Sequence, residues 1–132
     1  MVLGINTIKN NNTRIEVYLK KNRSIISTKT LSAKYRQAEK LLPAIELLLD
    51  LNKSKLSDIK CIEVVNHGGS FTSLRIGVVT ANALGYSLGV PVIACDKEVN
   101  PIKKSKIKKW RFNIIDPEYD GEPNITISKK IL

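Results

Sequence analysis

Polar and apolar positions alternate over residues 13–19, as they do in a β-strand, after a short apolar run at residues 2–6 and before a segment rich in β-branched residues at 23–30. Ile15, Val17 and Leu19 fall on one face of such a segment, because successive side chains of a strand point to opposite faces. Polar connections separate this segment from its neighbours, and the asparagines within residues 9–12 favour a tight turn. The pattern predicts an antiparallel meander of three strands, at residues 2–6, 13–19 and 23–30.

The pattern changes to a helical period after residue 33. Apolar side chains recur at three- and four-residue steps over residues 34–52, which predicts a helix with Ser32 as its N-cap. Pro43 interrupts the helix, because it lacks an N–H group and its ring clashes with the carbonyl four residues earlier. We therefore expect the helix either to kink near residues 39–43 or to begin there, with Pro43 in its first turn.

A second helical segment lies between two further strands. The apolar run at residues 60–66 predicts one buried strand, residues 72–88 a helix, and residues 91–95 a final buried strand. Gly89 suits the left-handed position that ends a helix. The order strand, strand, strand, helix, strand, helix, strand is that of a ribonuclease H-like or actin-like lobe. We expect an α/β fold with a mixed five-stranded sheet and two main helices.

Composition agrees with one folded domain, since 42% of the 132 residues are hydrophobic and 26% are charged. No apolar run approaches the roughly 20 residues that span a bilayer, and no basic leader of a secretory signal stands at the start. Cys61 and Cys95 are too few for a disulfide scaffold and are expected to be small, reduced core residues. We expect a cytoplasmic protein without membrane contact.

Basic residues exceed acidic ones, 22 against 12, for a net charge of +10. Basic residues crowd together at residues 103–111, which predicts a lobe over residues 1–98 and a basic extended tail over residues 99–132. Such a tail favours an RNA backbone or an acidic partner; alternatively, it is a solvated strand whose Trp110 and Phe112 cover the open side of a small lobe. Six residues form the basic cluster: Lys103, Lys104, Lys106, Lys108, Lys109 and Arg111.

The loop over residues 67–75 joins a buried strand to a helix and carries the candidate chemistry. Its glycines and the free N–H groups of a helix end favour a phosphate or carboxylate site. The alternative is a tight turn in which Ser70 or Thr72 caps the helix. His67 lies close to Ser70, but a catalytic pair needs an orienting acid, and none is apparent nearby in the sequence. Three scattered acidic residues are expected to be solvated surface charges: Glu16, Asp58 and Glu63.

Residues 69–72 read Gly-Ser-Phe-Thr and residues 74–77 read Leu-Arg-Ile-Gly, and together they resemble the GPGSFTGLRIG signature of the TsaB (YeaZ) family. Three more segments resemble, in order, the family's opening ILAIDTS strand, its SE-x-LLP-x-I helix and the end of its second helix: residues 2–7, 39–45 and 84–92. The resemblance covers residues 1–95. The signature loop positions are Gly69, Ser70, Phe71, Thr72 and Arg75.

The resemblance implies an accessory role. The TsaB family is the accessory subunit of the bacterial machinery that makes threonylcarbamoyladenosine at position 37 of tRNA. The chain is accordingly expected to be a non-catalytic scaffold without a cofactor or metal of its own. The partners that the resemblance implies are a TsaD-like catalytic subunit, a TsaE-like ATPase and a second copy of the chain. Contact with tRNA is expected through the basic cluster.

A partner interface is expected on the two helices, through which family members pair. Gly77, Ala81 and Gly85 recur at four-residue steps and make a row of small residues on the second helix. Such a row lets another helix approach closely, either within the lobe or across an interface. The resemblance favours the interface, for which we expect eight residues: Leu41, Leu42, Ile45, Leu74, Gly77, Val78, Ala81 and Gly85.

The chain departs from the family's pattern at several positions. Asn6 stands where the family usually has the aspartate that serves a metal or nucleotide in catalytic actin-like relatives. Other replacements fall at Gln37, His67, Gly68 and Ser73. The family's second lobe is not expected here. Two other functions stay open: a small nucleotide-binding phosphotransferase or hydrolase that uses residues 67–72, and a stand-alone RNA-binding module that uses the tail.

Overall fold

The computed structural model of this protein describes residues 1–95 and residue 115. The strands, helices and one 3-10 turn follow one another in chain order: β1 (Val2–Ile8), α1 (Lys9–Asn12), β2 (Arg14–Lys21), β3 (Ser24–Ser32), α2 (Gln37–Leu51), the 3-10 turn (Leu56–Asp58), β4 (Cys61–Val65), α3 (Phe71–Leu88) and β5 (Val92–Cys95).

Within residues 1–95, one mixed sheet of five strands carries the fold, in the order β3-β2-β1-β4-β5. β1 lies at the centre, antiparallel to β2 and parallel to β4. β3 pairs antiparallel with β2 at one edge, and β5 pairs parallel with β4 at the other. The predicted α/β class and the predicted meander of the first three strands are therefore confirmed.

The two long helices bury their apolar stripes against one face of this sheet. The buried side chains come from the central strands and from both helices: Leu3, Ile5, Val17, Leu19, Ile62 and Val64 from the sheet, Leu41, Ile45 and Leu48 from α2, and Val78 and Ala81 from α3. Since side chains alternate along a strand, Gly4 and Tyr18 belong to the opposite face. Among the described residues, no helix has the length and apolar character needed to cross a membrane.

The start of α2 differs from the prediction. Ser32 is the last residue of β3, where it pairs with Arg14, so it does not cap the helix. The helix begins at Gln37, with Arg36 in the N-cap position, and it continues through Pro43. Pro43 leaves the carbonyl of Glu39 without its helical donor. Glu39 is exposed, so water can reach this first turn of the helix.

A buried polar cluster crosses the face of the sheet that α2 and α3 do not cover. Gly4 lies in register with Tyr18 on one side and Glu63 on the other. A methyl group at Gly4 would overlap the ring of Tyr18, so the glycine lets this ring lie across β1. The Tyr18 hydroxyl donates to Glu63 Oε1 over 2.7 Å, and Lys20 Nζ lies 3.0 Å from the same oxygen. Glu63 is only 6% exposed, so the prediction of a solvated charge is wrong.

The tail that the sequence predicts over residues 99–132 lies outside the described residues, except for Ile115. The N–H of Ile115 donates to Asn82 Oδ1 over 3.0 Å, and its carbonyl accepts from Asn82 Nδ2 over 2.8 Å. Ile115 also packs against the apolar core. The basic cluster is not among the described residues, so its contact with tRNA stays a prediction.

Tyr18 makes stability depend on alkaline pH. Burial, and then the hydrogen bond and charge of Glu63, raise the pKa of Tyr18 above its ordinary value of about 10. Above that pH the unfolded chain releases the phenolic proton while the native state keeps it. The free energy of unfolding should therefore fall by about 1.4 kcal/mol per pH unit from this residue alone. Urea unfolding of the wild type and of Tyr18→Phe between neutral and alkaline pH measures the difference, and parallel curves would refute the assignment.

Candidate site at the amino-terminal ends of the long helices

The signature loop is a capped turn between β4 and α3. Ser70 is the N-cap of α3, and its Oγ accepts from the N–H of Ser73 over 3.2 Å. Of the two predicted caps, Ser70 is the one the structure uses. Gly68 has φ +94°, which an L side chain rarely adopts, so glycine is needed for the chain to enter the turn.

A left-handed turn of asparagines packs against this loop. Asn10, Asn11 and Asn12 have φ values of +52°, +61° and +66°, which asparagine tolerates better than most residues. Asn12 Oδ1 accepts from the N–H of Ser70 over 3.0 Å. The predicted asparagine turn is confirmed, and it also forms one wall of the site.

Gln37 joins the asparagine turn to α3. Its Nε2 donates to the carbonyl oxygen of Asn12 over 2.8 Å and to Ser73 Oγ over 3.0 Å. Thr7, at the end of β1, donates from its Oγ1 to the carbonyl of Ser73. Two segments far apart in the chain, the end of β1 and the start of α2, thus hold Ser73, which stands where the family signature has glycine.

Two cavities open beside this network. The larger, about 590 Å³, lies between the asparagine turn, the start of α2 and the start of α3. The smaller, about 250 Å³, is bounded by Asn6, Ile8, Lys9, the asparagine turn and Gly68. Polar side chains and backbone of both predicted helices therefore meet at one end of the lobe.

Two further polar side chains around the loop are also hydrogen-bonded within the lobe. Asn6 is 2% exposed, and its Oδ1 accepts from the N–H of Ile8 over 2.9 Å. His67 Nδ1 lies 3.2 Å from Asn66 Oδ1, within hydrogen-bond reach of a side-chain amide. Within residues 1–95, no three His, Cys, Asp or Glu side chains gather as metal ligands would.

The signature side chains differ in exposure. Ser70, Thr72 and Arg75 reach solvent, whereas Gly69 and Phe71 are partly buried. The guanidinium of Arg75 lies 5.9 Å from the centre of the Phe71 ring, which is within cation–π range.

Both cysteines lie in the sheet, and no disulfide joins them. Cys95 is fully buried, and Cys61 is partly buried. Burial, with a smaller contribution from the charge of Glu63, raises the pKa of the Cys61 thiol to about 11. The neutral thiol is a poor nucleophile, because the thiolate is the reactive form.

Seven of the eight residues predicted for the partner interface are buried in the lobe, which is a correction. They are Leu41, Ile45, Leu74, Gly77, Val78, Ala81 and Gly85. A methyl group at Gly77 would lie 2.7 Å from Thr7 Oγ1, so the first glycine of the row lets α3 approach β1 closely. Leu42 alone of the eight lies outside the core, with 54% of its surface exposed.

The residues that line the larger cavity were only partly found from the sequence. Gln37 and Ser70 stood out by their positions in the family pattern. Asn12 and Tyr35 did not, because the contact between Asn12 and Ser70 spans 58 positions of the chain. The one feature of the sequence that could have pointed to Tyr35 is its position between two cations, Lys34 and Arg36.

This arrangement of sheet, helices and signature loop is that of an actin-like lobe. Residues 25–97, just over half of the chain, match the family model described as TsaD: tRNA N6-adenosine threonylcarbamoyltransferase. The chain is 34% identical over 77 residues to the tRNA threonylcarbamoyladenosine biosynthesis protein TsaB of Bacillus subtilis (strain 168), which covers 58% of this chain and 28% of that protein.

Solved structures agree with the sequence comparisons. YeaZ from Pseudomonas aeruginosa superposes with a TM-score of 0.65 at 25% identity, over 72% of this chain and 43% of that one. A second structure, described as an uncharacterized protein with similarity to peptidase YEAZ from Pseudomonas aeruginosa, matches with the same score and identity over 42% of its length. The chain belongs to the TsaB/YeaZ family. It spans less than half the length of these relatives.

Ala81→Arg tests whether α3 turns its small residues inward. Ala81 is fully buried, so an arginine there places an unpaired charge in the core and should unfold the lobe, at a cost of several kcal/mol. Ala83→Arg is the matched control, because Ala83 is exposed on the same helix. Circular dichroism and size-exclusion chromatography measure both variants. An Ala81→Arg protein that melts like the wild type would contradict the assignment.

Gly69→Ala tests the close packing of the loop on β1. An added methyl group would overlap Cγ2 of Ile8 and would lie 2.9 Å from Asn12 Oδ1. We expect a loss of about 1–3 kcal/mol of stability by urea unfolding. The same substitution should cost less in an Ile8→Ala background, since Cγ2 of Ile8 is then gone and only the Cβ, 2.7 Å from the added methyl group, remains. Equal costs in the two backgrounds would exclude contact with Cγ2 of Ile8 as the cause.

Proposed function

We propose that this chain is a non-catalytic subunit that docks on a TsaD-type catalytic subunit and supports N6-threonylcarbamoylation of adenosine 37 in tRNA. The observation that carries the proposal is the family match over residues 25–97, together with the Bacillus subtilis relative named for threonylcarbamoyladenosine biosynthesis. In this role the partner supplies the chemistry and this chain supplies a surface. A TsaE-like ATPase and a second copy of the chain are further proposed partners.

The non-catalytic role is supported by the state of Asn6. An uncharged carboxamide stands where catalytic actin-like relatives have a carboxylate, and its oxygen already accepts a hydrogen bond from Ile8. The hydroxyl of Ser70 caps α3, and Gln37 and Thr7 hold Ser73. These side chains stabilise the loop and the first turn of α3.

The docking surface is proposed on the outer side of the two long helices. We call the outer helix seam the row of apolar residues that lines the groove between the two helices, in which Ile76 and Leu84 also pack on the core: Ala38, Leu42, Ile76, Val79 and Leu84. Leu42 is 54% exposed and Val79 56% exposed. Aliphatic side chains exposed together mark surfaces that other proteins cover.

The shape of the seam supports a helical partner. A hollow of about 480 Å³ lies beside Leu42, Pro43, Leu56 and Leu84, and another of about 390 Å³ lies beside Ala38, Ile76 and Val79. Ala38 and Leu42 are one helical turn apart, so the two hollows follow one another along the seam. Ridges of a facing helix can enter grooves of this kind.

Co-expression with the TsaD-type subunit of the same source tests the proposal. The wild-type chain should co-purify with it in a stable one-to-one complex. The double variant Leu42→Asp with Val79→Asp should lose the complex and keep its circular dichroism spectrum, because both side chains are exposed in the lobe.

Ile25→Asp is the matched control, since Ile25 is 51% exposed on the edge strand β3, away from the seam. It should retain the complex. A double variant that co-purifies as well as the wild type would remove the seam from the interface, and a wild-type chain that fails to pair would overturn the proposed function.

A further inference from the structure

An exposed basic and aromatic segment connects β3 to α2. Tyr35 is 87% exposed and has φ +63°, a left-handed conformation that bulky side chains rarely adopt. The N–H of Arg36 donates to the carbonyl of Ala33 over 2.7 Å and closes the turn that holds Tyr35 there. The turn therefore holds the aromatic ring of Tyr35 in solvent, where it adds nothing to the apolar core.

The same segment forms a wall of the larger cavity, which has a volume of about 590 Å³. Lys34, Tyr35 and Arg36 line one side of it, and Ser70 and Thr72 line the other. We call it the basic-aromatic groove. A groove of this size is within the range that holds small organic ligands.

The charges of the groove favour an anion. Lys34 and Arg36 are both exposed and outnumber the one acidic lining residue, Glu39. Arg36 occupies the N-cap of α2 and makes no side-chain cap, since a guanidinium cannot accept a hydrogen bond. The positive end of the helix dipole is thereby left facing the groove and adds to the charge of the two cations.

The ring of Tyr35 adds a flat surface next to these cations. Lys34 Nζ lies 5.3 Å from the ring centre, so a cation and an aromatic face are presented together. Proteins that bind single-stranded nucleic acid combine these two elements, in which bases stack on aromatic rings and phosphates meet lysine or arginine. The hydroxyls of Ser70 and Thr72 are exposed across the groove and can bond to a ribose 2′-hydroxyl or a base edge.

We infer that the basic-aromatic groove binds single-stranded RNA, with a base stacked on Tyr35 and the adjoining phosphates held by Lys34 and Arg36. An acidic peptide would use the two cations, but its carboxylates offer no aromatic face to stack on the ring. The inference rests on the proposed function only for the identity of the RNA as tRNA. The groove lies at the end of the lobe where the signature loop begins α3.

Fluorescence anisotropy of a labelled decauridylate with the full chain tests the inference. Tyr35→Ala should weaken binding about tenfold, which is the usual effect of removing one stacked base. Tyr35→Phe keeps the ring and should bind like the wild type. Lys34→Ala with Arg36→Ala should weaken binding and lower the dependence of affinity on salt by roughly 0.7 for each phosphate that the variant no longer binds.

The matched control for charge is Lys21→Ala with Arg23→Ala, a lysine and an arginine that are exposed at the turn between β2 and β3. It removes the same charge from the full chain, so any binding by other basic residues falls equally. Equal RNA affinities for this control and the Lys34, Arg36 variant would overturn the inference. So would a Tyr35→Ala chain that binds RNA as the wild type does, or one that loses only the binding of an oligoglutamate peptide.

The outcome of this RNA-binding test is independent of the outcome of the co-purification test of the proposed function. Tyr35→Ala should still co-purify with the TsaD-type subunit, because Tyr35 lies outside the outer helix seam. If the wild-type chain pairs with that subunit but binds no decauridylate, the groove is not an RNA site and the proposed function stands. If it binds the decauridylate through Tyr35 but does not pair, the proposed function falls and the RNA site stands.

Discussion

The candidate site depends on how closely α3 lies against β1. Gly77 has no side chain where a methyl group would stand 2.7 Å from Thr7 Oγ1, and the same hydroxyl donates to the carbonyl of Ser73 one turn earlier. This contact fixes the first turn of α3 beside the end of the central strand. The asparagine turn that follows β1 then comes within hydrogen-bond distance of Ser70, and Gln37 closes the network from α2.

The same contact decides which sides of the helices remain for other molecules. The small residues of α3 are buried inside the lobe. Other side chains of this helix, such as Val79, therefore lie on the outside with Leu42 of α2. That leaves an apolar seam between the helices and a basic-aromatic groove at their amino-terminal ends. The proposed protein partner and the proposed RNA would therefore occupy adjoining surfaces of one lobe, which share Ala38 and Ile76 at their border.

The opposite face of the sheet uses different chemistry. Gly4 makes room for the ring of Tyr18, whose hydroxyl reaches Glu63 across β1, and Lys20 supplies the balancing charge. A buried carboxylate is costly unless it is paired and hydrogen-bonded, and this one has both a cation and a hydroxyl donor. The central strand thus owes its position to two glycine-dependent contacts, one on α3 at Gly77 and one within β1 itself at Gly4.

The sequence by itself determined the order of the strands and helices, the asparagine turn and the left-handed end of α3 at Gly89, and it narrowed the cap of α3 to Ser70 or Thr72. These features follow from local backbone preferences and from side-chain periodicity, which neighbouring residues set. The signature residues indicated, in addition, the family to which the chain belongs. Periodicity also put Gly77, Ala81 and Gly85 on one side of a helix, but it could not say what that side would meet. Only the tertiary structure decided that it meets β1, that Glu63 is buried, and that Tyr35 stands in a groove beside α3, because each depends on segments that are distant in the chain and adjacent only after folding.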